Sequence, residues 1–337
     1  MKNTVNYVLP LLLLLTHTQL HADTKVLLQG EVLGVSDISA VEKTASFLVI
    51  GSDEAVGNGQ NIIQLFKPSK DSGYELQQNI ALSSNKGKEL DIEGLTADGD
   101  LIYVVGSHSS KRRKVKSNKK YKNNQERFYA REIENEENRD WLYRVQIDDK
   151  GREIANSKIS LRKIIKKNKV LEPFSNIPSK ENGIDIEGLA SKDGWLYLGF
   201  RGPVFRKNYV PIMKLKFDQP EASNRLLYVQ LNGAGIRSIT AVSNGFLIIA
   251  GPVGDAVIPH QLYFWDGKDM VPGKDRSKSD LGRVKLLAEI PFHKGGKAEG
   301  LAVLHENASS YDVLLAYDGV SQQESVMQRL TIRKLSQ

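Results

Sequence analysis

The segment Asp185-Ile186-Glu187-Gly188-Leu189 decides the fold, because the chain repeats it. Residues 91–95 have the identical sequence, and each copy is followed by a turn and an apolar run that ends at glycine or a small polar cluster. Similarity that returns at a regular interval identifies a repeat architecture more reliably than local propensity does. Three related copies complete the set: Asp37-Ile38-Ser39-Ala40-Val41, Gly235-Ile236-Arg237-Ser238-Ile239 and Lys297-Ala298-Glu299-Gly300-Leu301.

Each repeat contains about four short segments rich in Val, Ile, Leu, Tyr and Phe, separated by turns such as Asp98-Gly99 and Asp193-Gly194. No sustained helical periodicity follows residue 22. Four-stranded units repeated around a ring are typical of an all-β fold, the β-propeller. We therefore predict five blades of four strands. Six blades is the alternative, if one unit has diverged beyond recognition.

The repeat starts are separated by 54, 94, 50 and 62 residues, so the long interval contains an insertion, which we place at residues 110–139. The last repeat is one strand short. We predict that the N-terminal segment, between Thr24 and Leu33, completes it by pairing into the last blade, which removes exposed sheet edges. Residues 23–337 are thus predicted to form a single propeller domain.

The N-terminus combines a lysine at position 2, an apolar run from Tyr7 to Leu15 and a small residue, Ala22, at a plausible cleavage point. This pattern predicts a secretory signal peptide over residues 1–22, the alternative being an uncleaved anchor. The chain has no cysteine, which excludes disulfides and suits a bacterial periplasm better than a small secreted scaffold. We expect a periplasmic or secreted, soluble and monomeric protein with no transmembrane segment after signal removal.

The insertion is strongly charged. Eight of the twelve residues from Lys111 to Lys122 are basic, and acidic residues follow between 132 and 140. Such a run is either a solvated loop or a binding site for a polyanion, such as lipid headgroups, cell-wall polymer or nucleic acid. The absence of a known nucleic-acid motif, together with predicted export, disfavours nucleic acid.

The geometry of a hairpin predicts where the polar residues converge. In an antiparallel pair the start of one strand lies beside the end of its partner. The repeated acidic segments and the ends of the second strands should therefore meet at one rim, around the mouth of the central channel. The predicted lining is Asp37, Asp91, Glu93, His108, Asp185, Glu187, Arg201, Arg237, Glu299 and Asp318, with Lys297 nearby.

Several carboxylates placed close together require a divalent cation, arginine partners or shared protons. Oxygen ligands suit Ca²⁺, Mg²⁺ or Mn²⁺. We predict Glu299 and His108 as catalytic residues and Arg201 and Arg237 as binders of a substrate anion. The predicted metal ligands are Asp91, Glu93, Asp185 and Glu187. The alternative is structural: the repeated acids cap backbone groups or form salt bridges between blades, and His108 is a hydrogen-bonded rim residue.

The repeated motifs, together with Gly106-Ser107-His108-Ser109 and Phe200-Arg201-Gly202-Pro203-Val204, resemble an uncharacterised family of exported bacterial β-propellers, a domain of unknown function. The resemblance covers most of residues 31–335. More distantly, the pattern is similar to esterase-like and phytase-like propellers. The resemblance implies the fold and supplies no established activity. Ser39-Ala40 and Arg237-Ser238 replace the Glu-Gly pair in two repeats, so any site is asymmetric.

Two functions compete at this level. The first is a metal-assisted hydrolase of a phosphorylated or ester substrate, in which a cation activates water and Glu299 acts as general base. The second is a non-catalytic platform that binds an anionic envelope component through the basic insertion. The sequence contains no Gly-x-Ser-x-Gly elbow, His-Glu-x-x-His motif, Walker loop or dinucleotide fingerprint, which argues against other common enzyme classes.

Overall fold

A computed structural model describes residues 21–57, 59–70, 73–82, 88–323 and 326–334. Of the predicted signal peptide, only His21 and Ala22 lie in this part of the chain, and the remainder lies outside the described residues. Among the helices described, none is both long enough and apolar enough to cross a membrane.

The repeats form five sheets, the blades, after two N-terminal strands, β1 (His21–Lys25) and β2 (Leu28–Gln29). Blade 1 contains β3 (Ile38–Lys43), β4 (Leu48–Ser52), β5 (Ile62–Pro68) and β6 (Tyr74–Ala81). Blade 2 contains β7 (Ile92–Asp98) and β8 (Leu101–Gly106) and, after an insertion with β9 (Ser110–Arg112) and β10 (Ile133–Asn135), β11 (Trp141–Ile147) and β12 (Glu153–Ser160).

The other three blades have the same antiparallel order. Blade 3 contains β13 (Asp185–Lys192), β14 (Trp195–Gly202), β15 (Tyr209–Leu215) and β16 (Arg225–Gln230). Blade 4 contains β17 (Gly235–Val242), β18 (Gly245–Gly251), β19 (His260–Trp265) and β20 (Val284–Ile290). Blade 5 contains β21 (Lys297–Glu306), β22 (Ser310–Asp318) and β23 (Met327–Arg333), with β1 as its fourth strand. The prediction of a five-bladed propeller is confirmed.

Short helices occupy some of the connections between strands. The α-helices are α1 (Tyr121–Glu126), α2 (Arg162–Lys167) and α3 (Pro220–Ser223). The 3-10 helices are Val35–Asp37, Ala130–Glu132, Glu137–Asp140, Glu172–Phe174, Ser179–Glu181 and Arg206–Asn208.

The ring closes through the N-terminus, as predicted, but with a shorter strand than expected. β1 pairs antiparallel with β23, with His21 opposite Thr331 and Lys25 opposite Gln328. β2 instead pairs in parallel with β6 of blade 1. The predicted closure is thus confirmed, but the bounds of the closing strand, Thr24 to Leu33, were wrong, because the chain leaves the last blade after Lys25. Buried Val26 and Leu28 pack in the apolar cluster between blades 5 and 1, which explains why the chain crosses there.

The core lies between the blades. The innermost strands contact one another in the order β3, β7, β13, β17, β21 and back to β3. Each pair of neighbouring blades encloses one apolar cluster, so no blade buries its faces without its neighbours. Ile186 and Leu189 of the repeated motif are both buried in the cluster between blades 2 and 3. The apolar positions of the motif thus hold each innermost strand in the ring.

The glycine of the motif is required because neighbouring innermost strands approach closely. A Cβ atom at Gly94 would lie 2.9 Å from the backbone nitrogen of Leu189 in the next blade. The same contact recurs at Gly188, where Ile239 Cγ2 would lie 2.8 Å away, and at Gly300, 2.9 Å from Val41 Cγ1. At Gly94 the close atom is backbone, so a Cβ atom there would move a strand, whereas at Gly188 and Gly300 the neighbouring side chain would have to shift. The glycines thus permit the close spacing between blades.

Two rims follow from this topology. The motif rim is the edge at which β3, β7, β13, β17 and β21 begin, and the hairpin rim is the opposite edge, where each of these strands turns into the next. Because Ile92 pairs with Gly106, the insertion leaves blade 2 from the motif rim.

We expect Gly94→Ala to lower the free energy of unfolding by about 1–3 kcal/mol, because the added methyl group must displace the backbone of the next blade. Ser238→Ala is the matched control, since Ser238 occupies the equivalent position in blade 4 and already has a Cβ atom. Urea unfolding of both variants measures the difference. Equal stability of the two would show that the close approach of the strands is unimportant.

Candidate functional site

The third residue of every motif lies at a β-bulge. In blade 3, Ile186 pairs with Phe200 and Gly188 with Gly199, so Glu187 has no partner on the adjacent strand. A bulge leaves the extra residue outside the ladder and re-aims its side chain. The register breaks at the same place in all five blades, at Ser39, Glu93, Glu187, Arg237 and Glu299.

Arg237 joins three blades. Its Nη1 atom lies 3.1 Å from Glu187 Oε2 of blade 3 and 2.8 Å from Glu299 Oε1 of blade 5. Its Nη2 atom donates a hydrogen bond of 2.6 Å to the carbonyl of Pro252. The three charged side chains are all buried. The arginine that replaces glutamate in the fourth repeat therefore supplies the positive charge that the neighbouring blades need.

A second arginine comes from the end of β14. Arg201 Nη1 lies 2.5 Å from Glu187 Oε1, and Arg201 Nη2 forms an ion pair with Asp185. Burial raises the pKa of Asp185 and of Glu187, and Arg201 opposes the rise in both. Asp185 and Glu187, both predicted metal ligands, are thus paired with arginines.

The third arginine comes from the insertion. Arg139 Nη1 lies 2.5 Å from Asp91 Oδ2, and its Nη2 atom lies 2.5 Å from Glu89 Oε1. Nη1 also donates a hydrogen bond of 3.0 Å to Ser109 Oγ. Arg139 was not predicted from the sequence, since the charged insertion around it has the composition of a solvated loop. The only signal was a basic residue among the acids that directly precede Trp141.

Two groups of carboxylates lie close together beside this network. One ligand oxygen from each of Asp53, Asp91 and Glu93 lies within 4.8 Å of the others, and the same holds for Asp37, Asp53 and Asp318. Within the described residues, no lysine or arginine forms a salt bridge with Asp53 or Glu93, and the buried Asp53 Oδ1 atom has no hydrogen-bond partner. Negative charge is therefore least compensated around Asp53, which belongs to both groups.

The protonation of these acids reflects their surroundings. Burial, followed by the charge of Asp91, raises the pKa of Asp53 to about 9. Burial and the charge of Glu187 raise the pKa of Glu93 well above its usual value. Asp318 has a pKa raised to about 6, mainly by burial and by Glu299. Without a cation these groups bind protons, so a proton and a metal ion compete for the same oxygens.

Asp53 was not among the predicted metal ligands, although its place at the motif rim could be predicted from the sequence. It directly follows β4, and its backbone N–H donates to the carbonyl of Asp37 at 3.0 Å. Asp318 has the equivalent position at the end of β22, opposite Lys297. An acidic residue at the end of the second strand of a blade was thus the sequence feature that could have identified Asp53 as a ligand.

His108 has a different environment from the carboxylate groups. Its ring is buried, Nδ1 donates to the carbonyl of Gly106 at 2.8 Å, and Nε2 accepts the backbone N–H of Leu161 at 3.4 Å. Burial lowers the pKa of His108 and favours the neutral ring. Both ring nitrogens are therefore occupied by backbone groups. The contacts of His108 are those of the hydrogen-bonded rim residue considered as its alternative.

The DUF3616 model, described as "Protein of unknown function", matches residues 37–332. This chain belongs to the DUF3616 family. The match spans all five motifs, including the bulged residues, and confirms the resemblance to a propeller family of unknown function.

A comparison of this DUF3616 chain with curated proteins found no match. Among solved structures, it is similar to a hypothetical protein from Leishmania major, with a TM-score of 0.45, 12% identity, and coverage of 94% of this chain and 90% of that chain. A GH43 β-1,3-galactosidase, BT0265, matches with a TM-score of 0.44 and 10% identity, over 94% of this chain and 60% of that chain. The N-terminal domain of Nup159 matches with a TM-score of 0.33 and 8% identity, over 88% of this chain and 75% of that chain. At these values, no function is inferred from the three structures.

We expect Arg237→Met to destabilise the fold by about 3–5 kcal/mol, because it leaves Glu187 and Glu299 buried with less compensating charge. Arg206→Met is the control, since Arg206 is exposed on the same rim. Adding Glu299→Gln to Arg237→Met should recover part of the loss, as urea unfolding would measure. No difference between Arg237→Met and Arg206→Met would contradict a structural role for the network.

The raised pKa of Asp53 gives stability a defined pH dependence. The unfolded carboxyl loses its proton near its usual value of 3.8, whereas the folded one retains it up to about 9. The contribution of Asp53 is therefore complete below the unfolded pKa and is lost as pH rises toward the folded pKa. In a chelator, the free energy of unfolding should fall less steeply over this window in Asp53→Asn than in the wild type. The exposed acid Asp149, changed to Asn, is the control; identical slopes for Asp53→Asn and the wild type would refute this.

Proposed function

We propose that this protein is a cation-dependent hydrolase of a phosphorylated or ester substrate, with its site at the channel mouth. The observation that carries the proposal is the grouping of Asp53, Asp91 and Glu93, whose ligand oxygens lie within 4.8 Å of one another. Two of these acids lack a salt-bridge partner among the described residues. Carboxylate oxygens at this spacing suit a hard divalent cation, such as Ca²⁺, Mg²⁺ or Mn²⁺.

The geometry divides the acids of the mouth into two classes. Asp185 and Glu187 face Arg201 and Arg237, so they favour the structural alternative of the sequence analysis. We therefore assign the cation to Asp53 and Glu93, which form no salt bridge within the described residues, together with Asp91, whose oxygens lie beside theirs although Arg139 also contacts it. Three carboxylates leave coordination positions open, as a catalytic site requires for water and substrate.

The remaining roles follow from the same contacts. Glu299 is our candidate for the general base, because only its Oε1 atom contacts Arg237. Arg201 and Arg237 hold carboxylates, and their buried Nε atoms have no hydrogen-bond partner within the described chain. Their part in binding a substrate anion is thus indirect: they keep Glu187 and Glu299 in place. The contacts of His108 do not support a catalytic role.

A cation held by these carboxylates would act as a Lewis acid, lowering the pKa of a water molecule and attracting an anionic oxygen of the substrate. The chain itself contributes the ligand oxygens and the buried ion-pair network that orients them. The bulge at Glu93 and the turn after β4 bring oxygens from two blades together. Cleavage would thus depend on the closed ring.

The first test is a melting experiment with Ca²⁺, Mg²⁺ and Mn²⁺. A cation that binds only the folded state at 100 times its Kd adds about 2.7 kcal/mol to stability, so Tm should rise. Asp53→Asn and Glu93→Gln should each remove most of the shift, and Asp149→Asn, on the hairpin rim, should retain it. If none of the three cations shifted Tm, the proposal would be refuted.

The second test is hydrolysis. Nitrophenyl phosphate, bis-nitrophenyl phosphate and nitrophenyl acetate represent the proposed substrate classes. Activity should require the cation that shifts Tm and should fall by about 10²-fold or more in Glu299→Gln, as expected for loss of a general base. A cation-dependent shift in Tm without any hydrolysis would support cation binding but would refute hydrolysis of these substrate classes.

A further inference from the structure

We infer that the insertion docks this protein on the surface of an anionic lipid bilayer, with the motif rim facing the lipid. The inference does not rest on the hydrolase proposal, because none of the cation ligands takes part. It rests on how residues 110–139 and the loop 252–259 distribute charged and apolar side chains.

The base of the insertion is held by ion pairs. Arg112 Nε lies 2.5 Å from Glu181 Oε1, and Arg112 Nη2 donates to Glu181 Oε2 at 3.0 Å. Arg113 Nε lies 2.7 Å from Glu134 Oε1. Lys111 also forms a salt bridge within the insertion. These pairs and the pairing of β9 with β10 fix the insertion against the connection before blade 3.

The tip of the insertion carries uncompensated positive charge. Residues 114–131 contain seven basic residues against one acidic residue, Glu126. The segment is folded against α1, since Asn124 bonds both the N–H and the carbonyl of Lys116, at 3.1 and 2.9 Å. Five lysines there are exposed and form no salt bridge with any acid in the described part of the chain: Lys114, Lys116, Lys119, Lys120 and Lys122.

The same tip exposes apolar and aromatic side chains. Tyr121 is 77% exposed and Phe128 is 67% exposed, and Val115 and Tyr129 are also exposed. Tyr121, Gln125 and Phe128 are spaced as i, i+4 and i+7, and the turn after α1 continues its winding, so they share one face. Exposed aromatics among lysines are typical of a surface that meets the boundary between water and lipid.

A second loop on the motif rim has the same character. The connection between β18 and β19 exposes Val257, at 82%, and Ile258. Its Asp255 forms a salt bridge of 2.8 Å with Lys180, and the next residue, Glu181, is the partner of the arginine in the insertion. The insertion and the loop 252–259 are thus both tied by ion pairs to the short helix Ser179–Glu181, and their exposed apolar side chains lie on the motif rim.

The combination favours a lipid surface over a soluble polyanion or a nucleic acid. Lysines alone would suit any of the three, because each is attracted by negative charge. Val257 and Ile258 add aliphatic side chains, which gain from entering an apolar phase and gain nothing from a solvated phosphate chain. Basic and apolar residues on one rim therefore match a membrane whose headgroups are anionic.

The experiment measures binding of the full chain to phosphatidylcholine vesicles with and without phosphatidylglycerol, in a chelator so that cations cannot bridge the two. We expect binding to the anionic vesicles at least about tenfold tighter than to the neutral ones, and weaker at high salt. Changing the five exposed lysines to Gln should weaken binding by about tenfold or more.

The matched control changes five exposed lysines of the hairpin rim to Gln, which alters the net charge equally: Lys70, Lys150, Lys216, Lys274 and Lys278. This variant should bind as the wild type does. Equal loss in the two variants would show a net-charge effect and overturn the inference. The melting temperatures of both variants serve to confirm folding.

A second variant, Phe128→Ser with Val257→Ser, separates lipid from other polyanions. We expect it to lose affinity for anionic vesicles, about fivefold or more, and to retain any weak binding to soluble heparin or duplex DNA. Binding to heparin or DNA without binding to vesicles would overturn the inference. So would a double variant that binds vesicles as tightly as the wild type.

Discussion

The molecule depends on one constraint, the close approach of five innermost strands around the axis of the ring. At the fourth motif position only a small residue fits against the backbone of the next blade, and Gly94 and Gly188 meet that demand. At the third position the strand bulges, which takes one side chain out of the ladder. The bulged position and the close-packed position are thus adjacent in sequence. Together they place one polar side chain from every blade at the motif rim.

Charge compensation around this ring is unequal. Arg201 and Arg237 neutralise Asp185, Glu187 and Glu299, and both arginines are buried with these partners. Arg139 pairs with Asp91 on the side of blade 2. The other members of the two carboxylate groups form no salt bridge among the described residues: Asp37, Asp53, Glu93 and Asp318. Buried pairs add little net stability, whereas an unpaired buried carboxylate is costly, so the uneven distribution marks the place where a bound cation would gain most.

The motif rim therefore presents two chemistries side by side. The group of Asp53, Asp91 and Glu93 suits a small hard cation, and the tip of the insertion, with exposed Tyr121 and Phe128, suits an extended anionic surface. Arg139 connects them, because it ends the insertion and holds Asp91. A protein that rests on a membrane through the insertion would bring the carboxylates of the motif rim close to the lipid headgroups, where phosphoester groups are concentrated.

Much of the architecture was determined by the sequence alone. The motif and its period specify five blades, and antiparallel pairing requires that motifs and strand ends share a rim, because both follow from local geometry. The compensation of each acid was decided only by the tertiary structure. Asp53 arrives from a neighbouring blade, and Arg139 lies 48 residues after Asp91. The split between β1 and β2 also depends on packing across the ring. These contacts join segments that are far apart in the sequence, so no local sequence pattern predicts them. Burial and charge depend on distance in the folded structure, not on distance along the chain.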